Sequence, residues 1–387
     1  MTFFLVSSAI KVFVVFNLIM VGVALLTLLE RRVCAWMQDR LGPNRVGPQG
    51  ILQPAADGLK NFLKEETSPA MADKTLFTLA PIVSFVPALL TFGVIPFAAP
   101  LPTRWGVVPM VVADLPVGFL YILAISSLGV YGIVLAGWSS NNKYALLGGL
   151  RASAQMISYE IALGMSTVAV ILLAGNVTLS QVIAQQQQAL WFVIPLTVAF
   201  LIFFISALAE TNRLPFDLPE AEGELIAGYH TEYSSMKFSM FYIAEYSNMV
   251  TASALMATLF FGGWDIPFTS WDSTGDPSLV KTLATLAVFG LKTFVFLFTY
   301  IWVRWTLPRF RYDQLMALGW KVLLPLVLLY ITLLAVAIWF VRIRLGWDYG
   351  PGMAWVLGGL NLVLLIVLAW WLDRGRIVSG SVPQEAA

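Results

Sequence analysis

Residues 3–29 read FFLVSSAIKVFVVFNLIMVGVALLTLL, and Glu30-Arg31-Arg32 follow at once. The run holds a single charge, Lys11, and is longer than the ~20 apolar residues that carry a helix across the hydrocarbon of a bilayer. It is read as a membrane-spanning helix ended by a charged stop. No basic leader precedes it and no small-residue cleavage site follows, so it is expected to be retained rather than removed as a signal peptide. Moving outward, eight more stretches of similar character lie at roughly 76–98, 116–137, 154–175, 190–209, 239–262, 283–303, 321–341 and 352–372. Pro81, Pro87, Pro96, Pro195 and Pro325 fall inside or at the ends of these spans, as membrane helices allow when neighbours take up the freed carbonyls. The expected fold is an all-α polytopic integral membrane protein.

Composition agrees. Of the 387 residues, 59% are hydrophobic and only 12% charged, with a mean hydropathy of +0.80, where soluble domains carry about a quarter charged residues. A net charge of +1 offers nucleic acid no footprint. The single cysteine, Cys34, excludes an internal disulfide and a cysteine-ligated iron–sulfur cluster, and the single histidine, His230, excludes a bis-histidine haem. No soluble domain or clear repeat is visible, and the only low-complexity tract is Gln185 to Gln188.

Counted by side, the connections after spans 1, 3, 5 and 7 hold fifteen Lys and Arg, and those after spans 2, 4, 6 and 8 hold four. The positive-inside rule then puts the N-terminus outside and the two long, charged loops, about 30–75 and 210–238, in the cytoplasm. Within the first loop, Ile51, Leu52, Ala55, Leu59, Phe62 and Leu63 recur at helical spacing between Gly50 and Glu65. This predicts an amphipathic helix lying on the membrane surface or against a partner.

Charges inside spans cost roughly 2.5–3.5 kcal/mol at the bilayer centre, so Glu160, Glu245 and Lys292 require an explanation. A structural ion pair or a snorkelling side chain is the plain one, and it is preferred for Lys11. The second long loop is the more informative. It carries Glu210, Arg213, Asp217, Glu220, Glu222, Glu224 and Glu232. Pro219 and Glu220 suit an ordinary helix start. Glu224 falls one turn beyond Glu220 on the same face, where like charges are mildly unfavourable, and such a cluster is suited to sharing a proton. Arg31, Arg32, Arg40 and Arg45 follow span 1, and Arg304, Arg309 and Arg311 crowd the end of span 7. Topology accounts for some of these, but arginine is also the cation that pairs best with carboxylates in a dry site.

Several loop blocks together carry a resemblance: Glu30-Arg-Arg, Gln38-Asp-Arg-Leu-Gly-Pro-Asn-Arg-Val-Gly-Pro48, Leu52-Gln-Pro-Ala-Ala-Asp-Gly-Leu-Lys60, Gly148 to Glu160, Ala209 to Tyr233, Ala244-Glu-Tyr246 and Pro308-Arg-Phe-Arg-Tyr-Asp-Gln-Leu315. In this order, across roughly residues 10–340, they resemble the membrane-subunit family of respiratory NADH:quinone oxidoreductase (Complex I) that comprises the bacterial H subunit and its mitochondrial counterpart, NADH dehydrogenase membrane subunit 1. The resemblance implies a subunit with no redox centre, metal, haem or flavin of its own. It would sit where the membrane arm meets the peripheral arm and form the tunnel for a quinone, ubiquinone or menaquinone. Electrons would come from an iron–sulfur cluster in a partner. Other partners implied are small membrane subunits, antiporter-like subunits and membrane lipid, in a bacterial inner membrane.

Carried over by position, Glu30, Arg31, Arg40, Asp57, Lys60, Arg213, Phe216, Tyr242, Lys292, Arg304 and Arg309 are the implied quinone-tunnel residues. Glu160, Glu210, Glu220, Glu222, Glu224 and Glu245 are the implied acidic chain leading protons toward the antiporter-like subunits. Leu214 and Gly223 depart from residues common in the family, without removing a charge. The family core has eight spans, so residues 1–341 are expected to be that core and 342–387 an addition bearing a ninth helix. A related membrane-bound hydrogenase or ferredoxin-linked complex, whose anchor subunit lacks quinone, is the alternative. A secondary transporter is disfavoured because no paired halves with matched broken helices are visible.

Overall fold

A computed structural model describes residues 2–217, 227–267, 269–272 and 274–373. Glu220, Glu222, Gly223 and Glu224 lie outside the described residues. In chain order the elements are α1 (Thr2–Met37), α2 (Gln53–Leu63), α3 (Lys74–Leu90), a hairpin of β1 (Leu101–Thr103) and β2 (Gly106–Val108), α4 (Gly118–Ser139), α5 (Lys143–Ala174), α6 (Leu179–Gln188), α7 (Thr197–Glu210), α8 (Ser235–Phe260), α9 (Leu279–Thr306), α10 (Tyr312–Arg344) and α11 (Pro351–Asp373). Local chemistry places several of the starts. Asp73 accepts from the Thr75 and Leu76 amides at the head of α3, and Asn142 from the Tyr144 amide at the head of α5. These bonds satisfy amides that no helical carbonyl can reach. Gly175, in the left-handed region at φ 68°, ends α5.

Among the described residues, seven helices are long and apolar enough to cross a membrane: α1, α3 with its 3₁₀ extension, α4, α5, α9, α10 and α11. The chain is a multi-pass membrane protein. The two other predicted spans are helical but differ in kind. The segment predicted at 190–209 becomes helical only at Thr197, because Pro195 has no amide to donate, and residues 191–196 form turns tied to α8 through Val193 N–H to Phe260 O at 2.8 Å. The segment at 239–262 is a 26-residue helix, α8, which is diluted by Lys237, Glu245 and Asn248. Two features were not anticipated. The β1–β2 hairpin pairs Leu101 with Val108. Gln186, read as part of a low-complexity tract, is fully buried and works as a pin: its carbonyl accepts from Phe192 N–H (3.1 Å) and Gly262 N–H (2.9 Å), and its amide donates to Thr258 O (3.0 Å).

Close approaches require glycine at two points. A Cβ on Gly132 would lie 2.7 Å from the Ser84 backbone nitrogen, so only glycine lets α4 lie this close to α3. A Cβ on Gly148 would lie 2.6 Å from Gly228 Cα, in the turn ahead of α8. The loops sort to two ends. At one, Ser234 bonds Thr67, Asn142 bonds Glu232, and Phe310 N–H bonds Pro215 O. This charged end also holds α2, whose Leu59, Phe62 and Leu63 remain exposed, the open apolar face the sequence predicted. At the far end, Lys11 donates to Val111 O (2.7 Å) and Pro109 O (3.4 Å), so its ammonium is satisfied by carbonyls of the same chain.

α11 packs on the rest through buried Met353, Ala354 and Leu357, and one polar residue pins it. Asn361, fully buried, donates to Pro195 O (2.6 Å), and its side-chain oxygen accepts from Val198 N–H (3.3 Å) and Tyr330 Oη–H (3.0 Å). The carbonyl and amide left over by the broken start of α7 are thus taken up by the ninth predicted span.

Candidate functional site

Glu30 lies about two turns before the end of α1, which continues through Arg31 and Arg32 to Met37; it is buried, and three groups from distant parts of the chain converge on its carboxylate. Arg213 donates from the loop after α7 (3.4 Å), Arg304 from the last turn of α9, and Tyr246 Oη–H from α8. Arg213, only 3% exposed, also holds Glu245 at 2.9 Å, and its guanidinium lies 4.2 Å over the Tyr246 ring. Burial alone would disfavour its charge. The nearby Glu245, Tyr246 and Glu30 more than offset that and hold its pKa well above the ordinary arginine range. A network of this density is consistent with the cost of a buried charge left alone.

Around this centre the other predicted residues fall into groups. Phe216 is buried between Tyr159 (5.7 Å between ring centroids) and Phe310 (5.5 Å, stacked). Its carbonyl accepts from Gln155, which also donates to Ala209 O, both at 2.8 Å. Arg309 pairs with Asp217 at 3.4 Å. Tyr242 sits one turn before Tyr246, ring centroids 5.0 Å apart. Toward the surface of the charged end, Arg31 pairs with Asp57 at 2.5 Å, with Lys60 at 3.9 Å from the same carboxylate. Arg40 donates to the Gln38 side chain (2.7 Å) and lies 3.5 Å from Cys34 Sγ.

The acidic residues form a second line. Glu210, at the end of α7, lies within electrostatic range of Glu160 on α5 and beside Ser126. Between Glu210 and Glu245 is a small internal space of about 30 Å³, lined also by Ser84, Asn212 and Asn248. About 10–15 Å³ is enough for one water in a polar site.

Lys292 stands apart from both groups. Its ammonium donates to Phe261 O (2.6 Å), Gly263 O (2.9 Å) and Asp265 O (2.7 Å), just past the C-terminus of α8, and lies 4.1 Å over the Trp191 ring. Trp191 Nε1–H donates to Asp265 at 2.7 Å, and burial with the neighbouring Asp272 pushes the Asp265 carboxyl up to about 6.

Tyr246, Asp217, Gln155 and Asn212 complete the site without having been assigned a role. Tyr246 directly follows Glu245 and Asp217 lies in the same loop as Arg213, so adjacency was the available signal. Gln155 carried none.

A large apolar groove, about 1160 Å³, runs between α1, α9 and the hairpin. At one end it is bordered by Lys11 and Trp105, and at the other by Arg32, Trp36 and Ile51, with Leu26 and Leu29 in its wall beside Glu30.

Comparison with known proteins decides the family. A family model described as NADH dehydrogenase matches residues 10–336. This chain belongs to the NADH dehydrogenase membrane-subunit family. It is 51% identical over 331 residues to the NADH-quinone oxidoreductase H subunit 2 of Geobacter sulfurreducens, covering 86% of this chain and 96% of that protein. It is 49% identical over 332 residues to NADH-ubiquinone oxidoreductase chain 1 of Chondrus crispus, covering 86% and 97%. Against the NADH-quinone oxidoreductase H subunit of Frankia alni, identity is 49% over 346 residues, covering 89% and 75%. The NADH dehydrogenase match ends before α11 begins.

Proposed function

We propose that this chain forms the quinone chamber of a proton-pumping NADH:quinone oxidoreductase and carries the first stretch of its proton path. The observation that carries this is the presence of two unlike surfaces on α1: an apolar groove long enough for an isoprenoid tail, with Leu26 and Leu29 in its wall and Arg32, Trp36 and Ile51 at its end, and the buried Glu30, where Arg213, Arg304 and Tyr246 converge. A quinone has that same division, an apolar tail and a polar head. In this reading partner subunits deliver the electrons. Arg213 and Arg304 stabilise negative charge developing on the head-group oxygens, and Phe216, Tyr242 and Arg309 shape the wall. Arg31, Arg40, Asp57 and Lys60 border the entrance beneath the peripheral arm. Lys292 has its three donors committed to carbonyls and serves the bundle instead.

Protons leave the chamber through acids. Glu245 is joined to Arg213, and the space between Glu245 and Glu210 has room for one bridging water. Glu160 follows, and Glu220, Glu222 and Glu224 extend the run in sequence. In this reading the membrane is a bacterial inner membrane and the charged end is cytoplasmic, an orientation supported by fifteen basic residues against four. Residues 1–341 act as the chamber and 342–387 as an added brace.

The test is quinone reduction in membranes carrying Arg304→Ala or Glu210→Gln. Both are expected to lower inhibitor-sensitive NADH:quinone activity by at least about ten-fold, the scale of one lost charge-assisted contact. Read per assembled complex, reduction of a water-soluble acceptor should be unchanged. Full activity in both variants would overturn the reading and favour the quinone-free anchor of a related hydrogenase.

A further inference from the structure

A second, smaller groove of about 300 Å³ lies between α10 and α11, beside Val198 of α7, and shares no lining residue with the site described above. Its walls are Pro325, Leu326, Leu329 and Leu333 from α10 and Leu364 and Leu368 from α11. Lys321 and Trp371 stand together at one end, which is the charged end of the bundle. From Lys321 to Leu333 the groove follows α10 for about 18 Å at the helical rise. That is close to one leaflet's share of a ~30 Å hydrocarbon core. Inside, Tyr330 has its hydroxyl bonded to Asn361, so the floor offers a ligand no free polar group.

The two grooves differ in how their cations are employed. Lys11 and Arg32, on the large groove, donate to carbonyls of this chain, at Val111 and Gln49. Lys321, on the small one, has no ion pair and no hydrogen bond among the described residues. A strongly hydrated ammonium at the membrane interface, flanked by an indole and opening onto a leaflet-deep apolar furrow, complements a molecule with one anionic end and one long apolar arm. We propose that the α10–α11 groove binds an anionic phospholipid, with its phosphate on Lys321 and one acyl chain lying along Leu326, Leu329 and Leu333. Basic pockets between membrane helices favour anionic head groups in this way. Because α11 forms one wall, the site exists only in chains that carry this helix, and it is independent of the quinone reading.

The test uses the purified membrane assembly containing this chain, delipidated and titrated with phosphatidylglycerol or phosphatidylcholine carrying brominated acyl chains. Quenching of Trp371 is read as the difference between wild type and Trp371→Phe. Phosphatidylglycerol is expected to half-quench at about five-fold lower concentration, the preference that one interfacial lysine confers. Lys321→Gln should remove the preference while leaving residual quenching, and Leu329→Phe should weaken quenching by both lipids. Equal quenching by the two lipids in the wild type would overturn the proposal. A preference surviving Lys321→Gln would do so too. Absence of any Trp371 quenching would equally overturn it, and would mean that protein, not lipid, fills the groove.

Discussion

Arg213 and Lys292 are both cations withdrawn from water inside the bundle, and they are neutralised in opposite ways. Arg213 is met by carboxylates: Glu30, 183 residues away in sequence, and Glu245 on α8, with Arg304 sharing Glu30 from α9. Lys292 is met by three backbone carbonyls, all within 31 residues of it, at the end of one helix. The first arrangement ties several elements together through full charges, so altering one member leaves others uncompensated. The second is a helix-end cap, in which a lysine satisfies carbonyls that no further amide can reach. An intramembrane charge is therefore no guide to function until its partners are known. A network of charges from several elements can hold and move charge, whereas a cap holds backbone.

Removing each cation should separate the two cases. Arg213→Met leaves Glu30 and Glu245 buried beside one remaining arginine, and breaking a buried ion pair costs about 3–5 kcal/mol. A large fall in assembled complex and in its thermal midpoint is expected, relieved in part by adding Glu245→Gln. Lys292→Met strands neutral carbonyls instead, costing about 1–3 kcal/mol, with a correspondingly smaller fall in midpoint. Equal losses in the two variants would erase the distinction.

Asn361→Leu extends the comparison to a polar cap that carries no charge. Pro195 O, Val198 N–H and Tyr330 Oη–H lose their partner, and the midpoint should fall by the equivalent of about 1–2 kcal/mol. Quinone reduction should persist in the assembled fraction, because α11 does not touch the charged cluster. If activity vanished in an assembled complex, α11 would be more than a brace.

The last effect is absent at neutral pH and develops as pH falls. Burial pushes His230 down from its ordinary 6.5 to about 4. The unfolded chain therefore takes up a proton below about 6.5 that the folded chain resists. Stability should decline as pH falls from about 6.5 toward 4, and the slope should flatten in His230→Phe, read by thermal unfolding in detergent.

Much of the bundle was legible in the chain because apolar length is a local property. The 27 residues of 3–29 need no neighbour to be read as a span. Legibility failed where a neighbour completes the structure. Pro195 shortened α7, and the partner of the Pro195 carbonyl is Asn361, far along the chain. Gln186 looked like one of a row of glutamines and proved to be a buried pin. In the site, Glu245 was marked as a charge inside a span, whereas Glu30 and Arg304 at span ends and Arg213 in a charged loop were marked by the family resemblance. Gln155 was not, because an amide's role depends on which carbonyls surround it.

By itself, then, the sequence determined that this is an all-α membrane protein, which of its ends is charged, and which ionisable groups are too costly to be incidental. Desolvation penalties and apolar burial act residue by residue, so they can be read residue by residue. Tertiary structure alone decided which charges meet. Coulomb energy and hydrogen bonding depend on separations of a few ångströms, and those separations are set by helix packing between positions from tens to hundreds of residues apart. That packing is what makes Arg213 part of a charge network, Lys292 a cap, and Lys321 a cation without a partner among the described residues.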